Sequence, residues 1–334
     1  MTVRTEPVMA AALPKAWSAW QATGVVALLV IAVIVPFAVS SFHLLQLTMV
    51  VIYAIALLGL NILTGYNGQI SLGHGAFYAV GAYTMAILIE RAGMPYWSIV
   101  PVAGIVCFIV GFLFGLPALR LEGHYLALST FALAVATPQL LKFHALEKWT
   151  GGVQGTFVPG FAAPLGLPLA WDQWLYLFSL GIAAALFFFA WNLLRGSTGI
   201  AITAIRDHPI AAKTMGINIS LYKLLTFGVS AMYTGIAGAL GALVAQFVSP
   251  DSFTIFLSLS LLVGAVIGGV ASIFGAIFGA LFIQFVPNFA DQISKAVTWA
   301  VYGLFMITFM YLMPNGIAGF LKVIGERLRR RRNS

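Results

Sequence analysis

Charge is what this sequence has least of. Asp, Glu, Lys and Arg together make up 8% of its 334 residues, against roughly a quarter in an ordinary soluble domain. So few charges cannot cover a water-facing surface, and a soluble globular protein is excluded. Cysteine is nearly missing too. Cys107 is alone in the chain and sits in an apolar stretch, so neither a disulfide framework nor a cysteine metal site is available. No G-x-x-x-x-G-K run followed by Ser or Thr occurs, which excludes nucleotide hydrolysis by a P-loop in this chain. Acidic residues are absent from the interior of every long apolar stretch; Glu90, Asp251 and Asp291 stand at stretch ends. Ion-driven carriers usually keep ionisable groups near mid-membrane, so this absence argues against a proton-driven carrier, although backbone carbonyls can still bind sodium. No carboxylate pair, nucleophile with a base, or metal cluster lies at one depth, which disfavours a membrane-embedded enzyme.

What is present is apolar length. Hydrophobic residues reach 61%, and they fall in uncharged stretches of about 17 to 25 residues, enough for a helix to cross roughly 30 Å of hydrocarbon. Spans are expected near 22–39, 42–64, 72–89, 97–119, 123–141, 173–194, 224–248, 254–271, 273–290 and 297–313. The first follows a weakly basic start, as a signal peptide would, but its apolar run is longer than a usual signal core and is expected to be retained. Two stretches must break. Phe42 to Ile89 as one helix would be about 72 Å long, and Thr254 to Ala290 about 55 Å. The first break is expected at Thr64-Gly65-Tyr66-Asn67-Gly68-Gln69, with Gly73 and Gly75 beyond it, and the second around Gly268, Gly269 and Ser272. The fold expected is an all-α, polytopic transmembrane bundle of about ten spans with a broken, half-helix region.

The net charge is +8, carried between and beyond the spans. With ten spans and the N-terminus inside, Arg4, Lys15, Arg120, Arg195, Arg206, Lys213, Lys223, Lys322, Arg327 and Arg329 to Arg332 are cytoplasmic, while Arg91, Lys142, Lys148 and Lys295 are external. Thirteen against four is the asymmetry of the positive-inside rule, and both ends fall inside. The layout is then a cytoplasmic segment 1–21, a membrane domain 22–320 with an external loop 142–172 and a cytoplasmic loop 195–223, and a basic tail 321–334. The tail reads as an anchor to anionic lipid rather than a nucleic-acid site.

Within the cytoplasmic loop, Asp207-His208-Pro209 can start a short helix and Gly216 can stop it. Ile210, Ala211, Ala212, Thr214 and Met215 would then form a compact docking surface. Glycine pairs at four-residue spacing, Gly111 and Gly115, Gly264 and Gly268, Gly275 and Gly279, suit close helix packing. Asn67, Gln69, Ser71 and His74 cluster at the first break, where non-helical backbone is tolerated only inside protein or beside a water-filled cavity. They either line a translocation path or cap half-helices and satisfy one another. His43, His124, His144 and His208 form no ligand spacing.

Gly65-Tyr66-Asn67-Gly68-Gln69-Ile70-Ser71-Leu72-Gly73-His74-Gly75-Ala76-Phe77, followed by Gly81-Ala82-Tyr83, resembles the signature of branched-chain amino acid ABC transporter permeases of the LivM type. The similarity continues in order through Leu119 to Leu128, Thr150-Gly151-Gly152, Ala204-Ile205-Arg206-Asp207 with Ala211-Ala212 and Gly216-Ile217, and Leu262 to Gly269. It covers roughly residues 45–320. The resemblance implies half of a heteromeric importer in a bacterial inner membrane. Its partners would be a second, homologous permease subunit, two cytoplasmic ATPase subunits that bind the ATP, and a periplasmic substrate-binding protein; this chain would hold no cofactor and no metal. The family's ATPase-coupling loop falls on Ala204, Arg206, Asp207, Ala211, Ala212 and Gly216. Glu122, His124 and Asp207-His208-Pro209 depart from the usual residues and weaken the transfer of substrate. Leucine, isoleucine and valine are the expected cargo; relatives with this signature also import urea, short amides and aromatic acids. A stand-alone carrier or channel is the alternative from another class.

Overall fold

A computed structural model describes residues 30–121, 123–160 and 169–293, with parts of 303–320. Residues 22–29 of the first expected span, much of the last, both terminal segments and Glu122 lie outside the described residues.

The chain is helical almost throughout, as 61% apolar content in long runs requires once backbone groups must be satisfied within each segment. Helix α1 is Ser41–Asn61 and runs into a π-helical turn, Ile62–Tyr66. Then come α2, His74–Ala92; α3, Tyr96–Ala118; and α4, His124–Leu141. After the segment that follows α4, α5 is Trp171–Arg195, α6 Ser197–Asp207 and α7 Pro209–Thr214. The longest helix, α8, spans Ile219–Ala245, and α9, Ile255–Gly268, and α10, Gly275–Ile293, follow. Among the described residues five stretches are long and apolar enough to cross a membrane: Ser41–Tyr66, Tyr96–Ala118, Trp171–Arg195, Ile219–Ala245 and Pro250–Gly268.

Both expected breaks are present. The first stretch stops at Asn67 and resumes at His74. The second stops at Gly268 and resumes at Gly275. At 14 residues α9 itself reaches only about 21 Å, and the stretch attains crossing length only with the 3-10 turn Pro250–Ser252 ahead of it.

Helix α8 is the hub, packed against α1, α2 and α3, with 83% of its most apolar stretch buried. Small residues make that possible. A Cβ on Gly81 would lie 1.9 Å from the Gly235 carbonyl oxygen, so the α2 and α8 backbones touch. The expected glycine pairs also fall at helix contacts: a Cβ on Gly111 would meet Ala231, and one on Gly279 would meet the Gly264 carbonyl.

Hydrogen bonds sort the connections to the two ends of α8. At its C-terminal end, strand β1, Thr156–Phe157, pairs antiparallel with β2, Phe247–Val248, and Lys142 Nζ lies 2.6 Å from Asp251 Oδ1. Arg91 donates to the Lys148 carbonyl at this end. At the N-terminal end, Gln69 Nε2 donates to the Lys223 carbonyl at 3.3 Å. The 27 residues of α8 separate the two ends by about 40 Å.

Candidate functional site

The segment between α1 and α2 has to satisfy its backbone without a helix ladder. Asn67 N–H reaches the Ile62 carbonyl and Gln69 N–H the Leu63 carbonyl, both at 3.2 Å. Leu72 N–H donates to Thr130 Oγ1 and Gly75 N–H to Ser258 Oγ, both at 2.9 Å. Protein encloses the polar side chains of this segment: Asn67, Gln69, Ser71 and His74 are all buried, while Gly68 and Ile70 are exposed.

The four residues divide into two kinds. Ser71 and His74 belong to a directed chain. Ser230 Oγ donates its one proton to the Gly59 carbonyl at 2.7 Å, so at 2.6 Å it accepts from His74 Nε2–H. His74 Nδ1 therefore accepts from Ser71 Oγ–H at 2.9 Å, and Ser71 Oγ accepts the Gly73 N–H at 3.3 Å. Every polar atom in this chain has a partner. Ser230 lies about 16 Å along α8 from Ile219, well inside the bundle. Gln69 and Asn67 sit toward the N-terminal end of α8 instead. Gln69 bonds Lys223 and its own carbonyl accepts from Thr64 Oγ1 at 3.1 Å. Asn67 is 3% exposed, and neither its Oδ1 nor its Nδ2 has a hydrogen-bond partner.

The loop carried by α6 and α7 meets the same place. Arg206 Nη1 donates to the Gly65 carbonyl at 2.8 Å, and its Nε donates to Asp207 Oδ1 at 2.9 Å. Ala204, Arg206 and Asp207 thus end α6, half-buried against the bundle. The short helix α7 is present and Gly216 exits with φ +81°, as the start and stop signals require. Its start differs from expectation. Asp207 does not cap α7, because its carboxylate is taken by Arg206; His208 occupies the cap position without a side-chain bond, and Pro209 supplies the first turn. The expected docking surface also needs correction. Ala212 is 3% exposed and faces its own chain, while Ile210, Met215 and Ala211 are exposed.

Asn61 escaped sequence reasoning. Its Nδ2 donates to the carbonyls of Gly269 at 3.2 Å and Ser272 at 2.8 Å, and its Oδ1 accepts from Ala271 N–H at 2.7 Å. One side chain thereby clamps the turn between α9 and α10 to the end of α1. The signal was available: Asn61 is an amide in an otherwise apolar run, and such a group needs partners at membrane depth. Ser230, Ser258 and Thr130 were missed for want of any local pattern. Among the described residues no group of His, Cys, Asp and Glu fit to hold a metal occurs.

The pattern that defines the family described as "Branched-chain amino acid transport system / permease component" matches residues 42–313. Over 251 residues the chain is 38% identical to the high-affinity branched-chain amino acid transport system permease protein LivM of Salmonella typhimurium, covering 68% of this chain and 59% of that protein. It is 37% identical over 252 residues to the protein of the same name from Escherichia coli, covering 69% and 59%. A probable branched-chain amino acid transport permease protein LivM of Methanocaldococcus jannaschii is 23% identical over 315 residues, covering 80% and 90%. The chain thus spans 59% of the length of the two bacterial relatives. No solved structure gives a significant match. The family match takes in both breaks, the clamp at Asn61 and the α6–α7 loop, and it shows that this multi-pass membrane protein belongs to the branched-chain amino acid transport permease family.

Proposed function

We propose that this chain is the permease subunit of an ATP-driven ABC importer that moves leucine, isoleucine or valine inward across a bacterial inner membrane. One observation carries the reading. On α7 and at its C-cap, Ile210 and Met215 stand 82% and 83% exposed, two large apolar side chains on a loop rich in cations, where the charge asymmetry calls for the cytoplasm. Water is a poor neighbour for such a pair and an apolar cleft in a partner is a good one. The partner proposed is an ATPase subunit, which would supply the ATP site that this chain lacks. A second permease subunit, a second ATPase and a periplasmic binding protein complete the assembly, and both termini lie in the cytoplasm. Arg195, Arg206, Lys213 and Lys223 on the loop that leads into the N-terminal end of α8 outnumber Arg91, Lys142 and Lys148 at the other end, which supports that orientation.

Docking sits on Ile210, Ala211 and Met215, and Ala212 seats α7 on the rest of the chain. In the translocation path, Ser71 and His74 brace the wall through their closed network, while Asn67 and Gln69 lie on the segment that changes position. The cargo follows the two bacterial relatives, whose names specify branched-chain amino acids.

The test is Ile210→Asp combined with Met215→Asp in cells that depend on this chain for leucine uptake. The double variant is expected to insert normally, to lose co-purifying ATPase and to abolish ATP-dependent uptake. Normal ATPase recovery and uptake would refute docking at this surface.

A further inference from the structure

Arg206 stands just ahead of the exposed helix α7, yet its guanidinium turns away from that surface. Besides donating to Gly65, it rests its stem on Gly68, where a Cβ would come within 2.7 Å of Arg206 Cγ. Gly68 has φ +75°, so the close approach and the backbone conformation both call for glycine. Gly65 belongs to the π-helical turn that ends α1, and a Cβ on it would lie 2.4 Å from Ala271 N. One turn earlier on the same helix, Asn61 holds the backbone of Gly269, Ala271 and Ser272. Ala271 itself is held at φ +59°, a conformation costly for a residue with a Cβ.

Three pieces of the molecule therefore meet within one turn of helix: the docking loop, the broken end of α1 and the α9–α10 turn. The contact element is itself of a changeable type. A π turn carries one residue more than an α-helical turn and can pass that residue on by a shift of register, which is why such turns recur at functional sites. Immediately beyond it, Asn67 has two buried polar atoms without partners, an arrangement that favours any alternative in which they are paired. Farther on, the Ser71–His74–Ser230 chain pins the segment. The part that this chain does not pin is thus bounded: it runs from the π turn to Gln69 and is held by the Arg206–Gly65 and Gln69–Lys223 bonds.

We propose that Arg206 is a positioning residue that passes movement of the docking loop to the broken end of α1 and, through Asn61, to the α9–α10 turn. It acts inward, on the Gly65 carbonyl, and does not touch the ATPase. This rests on the docking reading above.

Arg206→Met tests it, because the substitution keeps the stem over Gly68 and removes every donor. In the assembled transporter the ATPase is expected to remain bound, while substrate moved per ATP hydrolysed falls about tenfold, the scale of one charge-assisted hydrogen bond. Arg206→Lys, which keeps a donor within reach of Gly65, should recover part of that ratio. An unchanged ratio in Arg206→Met would overturn the inference, and so would loss of ATPase binding, which would make Arg206 a docking contact. If no ATPase accompanies the unmodified chain, the docking reading fails and takes this inference with it. If Arg206→Met does not accumulate, hydrogen exchange on the unmodified assembly decides. Exchange at the amides from Gly65 to Gln69 must differ between nucleotide-free and vanadate-trapped states, and identical exchange would overturn the inference.

Discussion

Both polar atoms of Asn67 are buried and have no hydrogen-bond partner within the protein. Leaving a donor and an acceptor unsatisfied costs about 1–3 kcal/mol per group. Asn67→Leu, similar in volume and without polar atoms, should raise the thermal stability of the purified protein while lowering transport, because strain kept at such a position serves function. A variant less stable than the parent would show that Asn67 has partners in this state. Ser230 makes the opposite case. Ser230→Ala removes the acceptor of His74 Nε2–H and should destabilise by about 1–3 kcal/mol, read as a lower unfolding temperature in detergent. Sequence reasoning singled out Asn67, Gln69, Ser71 and His74 because polar residues are conspicuous in an apolar run. It could not sort the satisfied ones from the orphan, since the groups that pair His74 and Gln69, the Ser230 hydroxyl and the Lys223 carbonyl, lie more than 150 residues away on another helix.

Helices and their breaks were the most legible level, because length arithmetic against a bilayer leaves little choice. A 72 Å helix has nowhere to go in roughly 30 Å of hydrocarbon, and glycine-rich segments say where it stops. Less legible was which helix would be central. Nothing in the composition of α8 announces it, apart from its glycines, and those matter only against α2 and α3. Gly81→Ala tests the closest of these contacts: its Cβ would lie 1.9 Å from the Gly235 carbonyl, so the two helices must part. A destabilisation of at least about 1–3 kcal/mol is expected from overpacking, with lower yield of folded protein. Unchanged stability would mean that α2 and α8 are not in backbone contact. The cap of α7 was misread because Asp207 had two suitors: free backbone N–H groups and a neighbouring guanidinium. Either bond would use the charged carboxylate, but the guanidinium adds a full opposite charge on the adjacent residue, and Arg206 took it.

The molecule as a whole is organised from one end of α8 to the other: the C-terminal end is stapled, and the α6–α7 loop, both breaks and Asn61 converge at the N-terminal end, the internal one in the orientation proposed above. Reporter fusions within the 195–223 loop should read cytoplasmic and those within 150–160 external; a cytoplasmic signal from the second would invert this arrangement. The central claim is that energy enters at the internal end from a separate ATPase. Affinity purification of the unmodified chain from its native membrane, followed by assay of ATP hydrolysis in the purified assembly, tests it most directly. Vanadate-sensitive hydrolysis that co-elutes with the chain and disappears in the Ile210→Asp, Met215→Asp variant is the result predicted. Uptake of branched-chain amino acids by the chain reconstituted alone, without any ATPase, would contradict it.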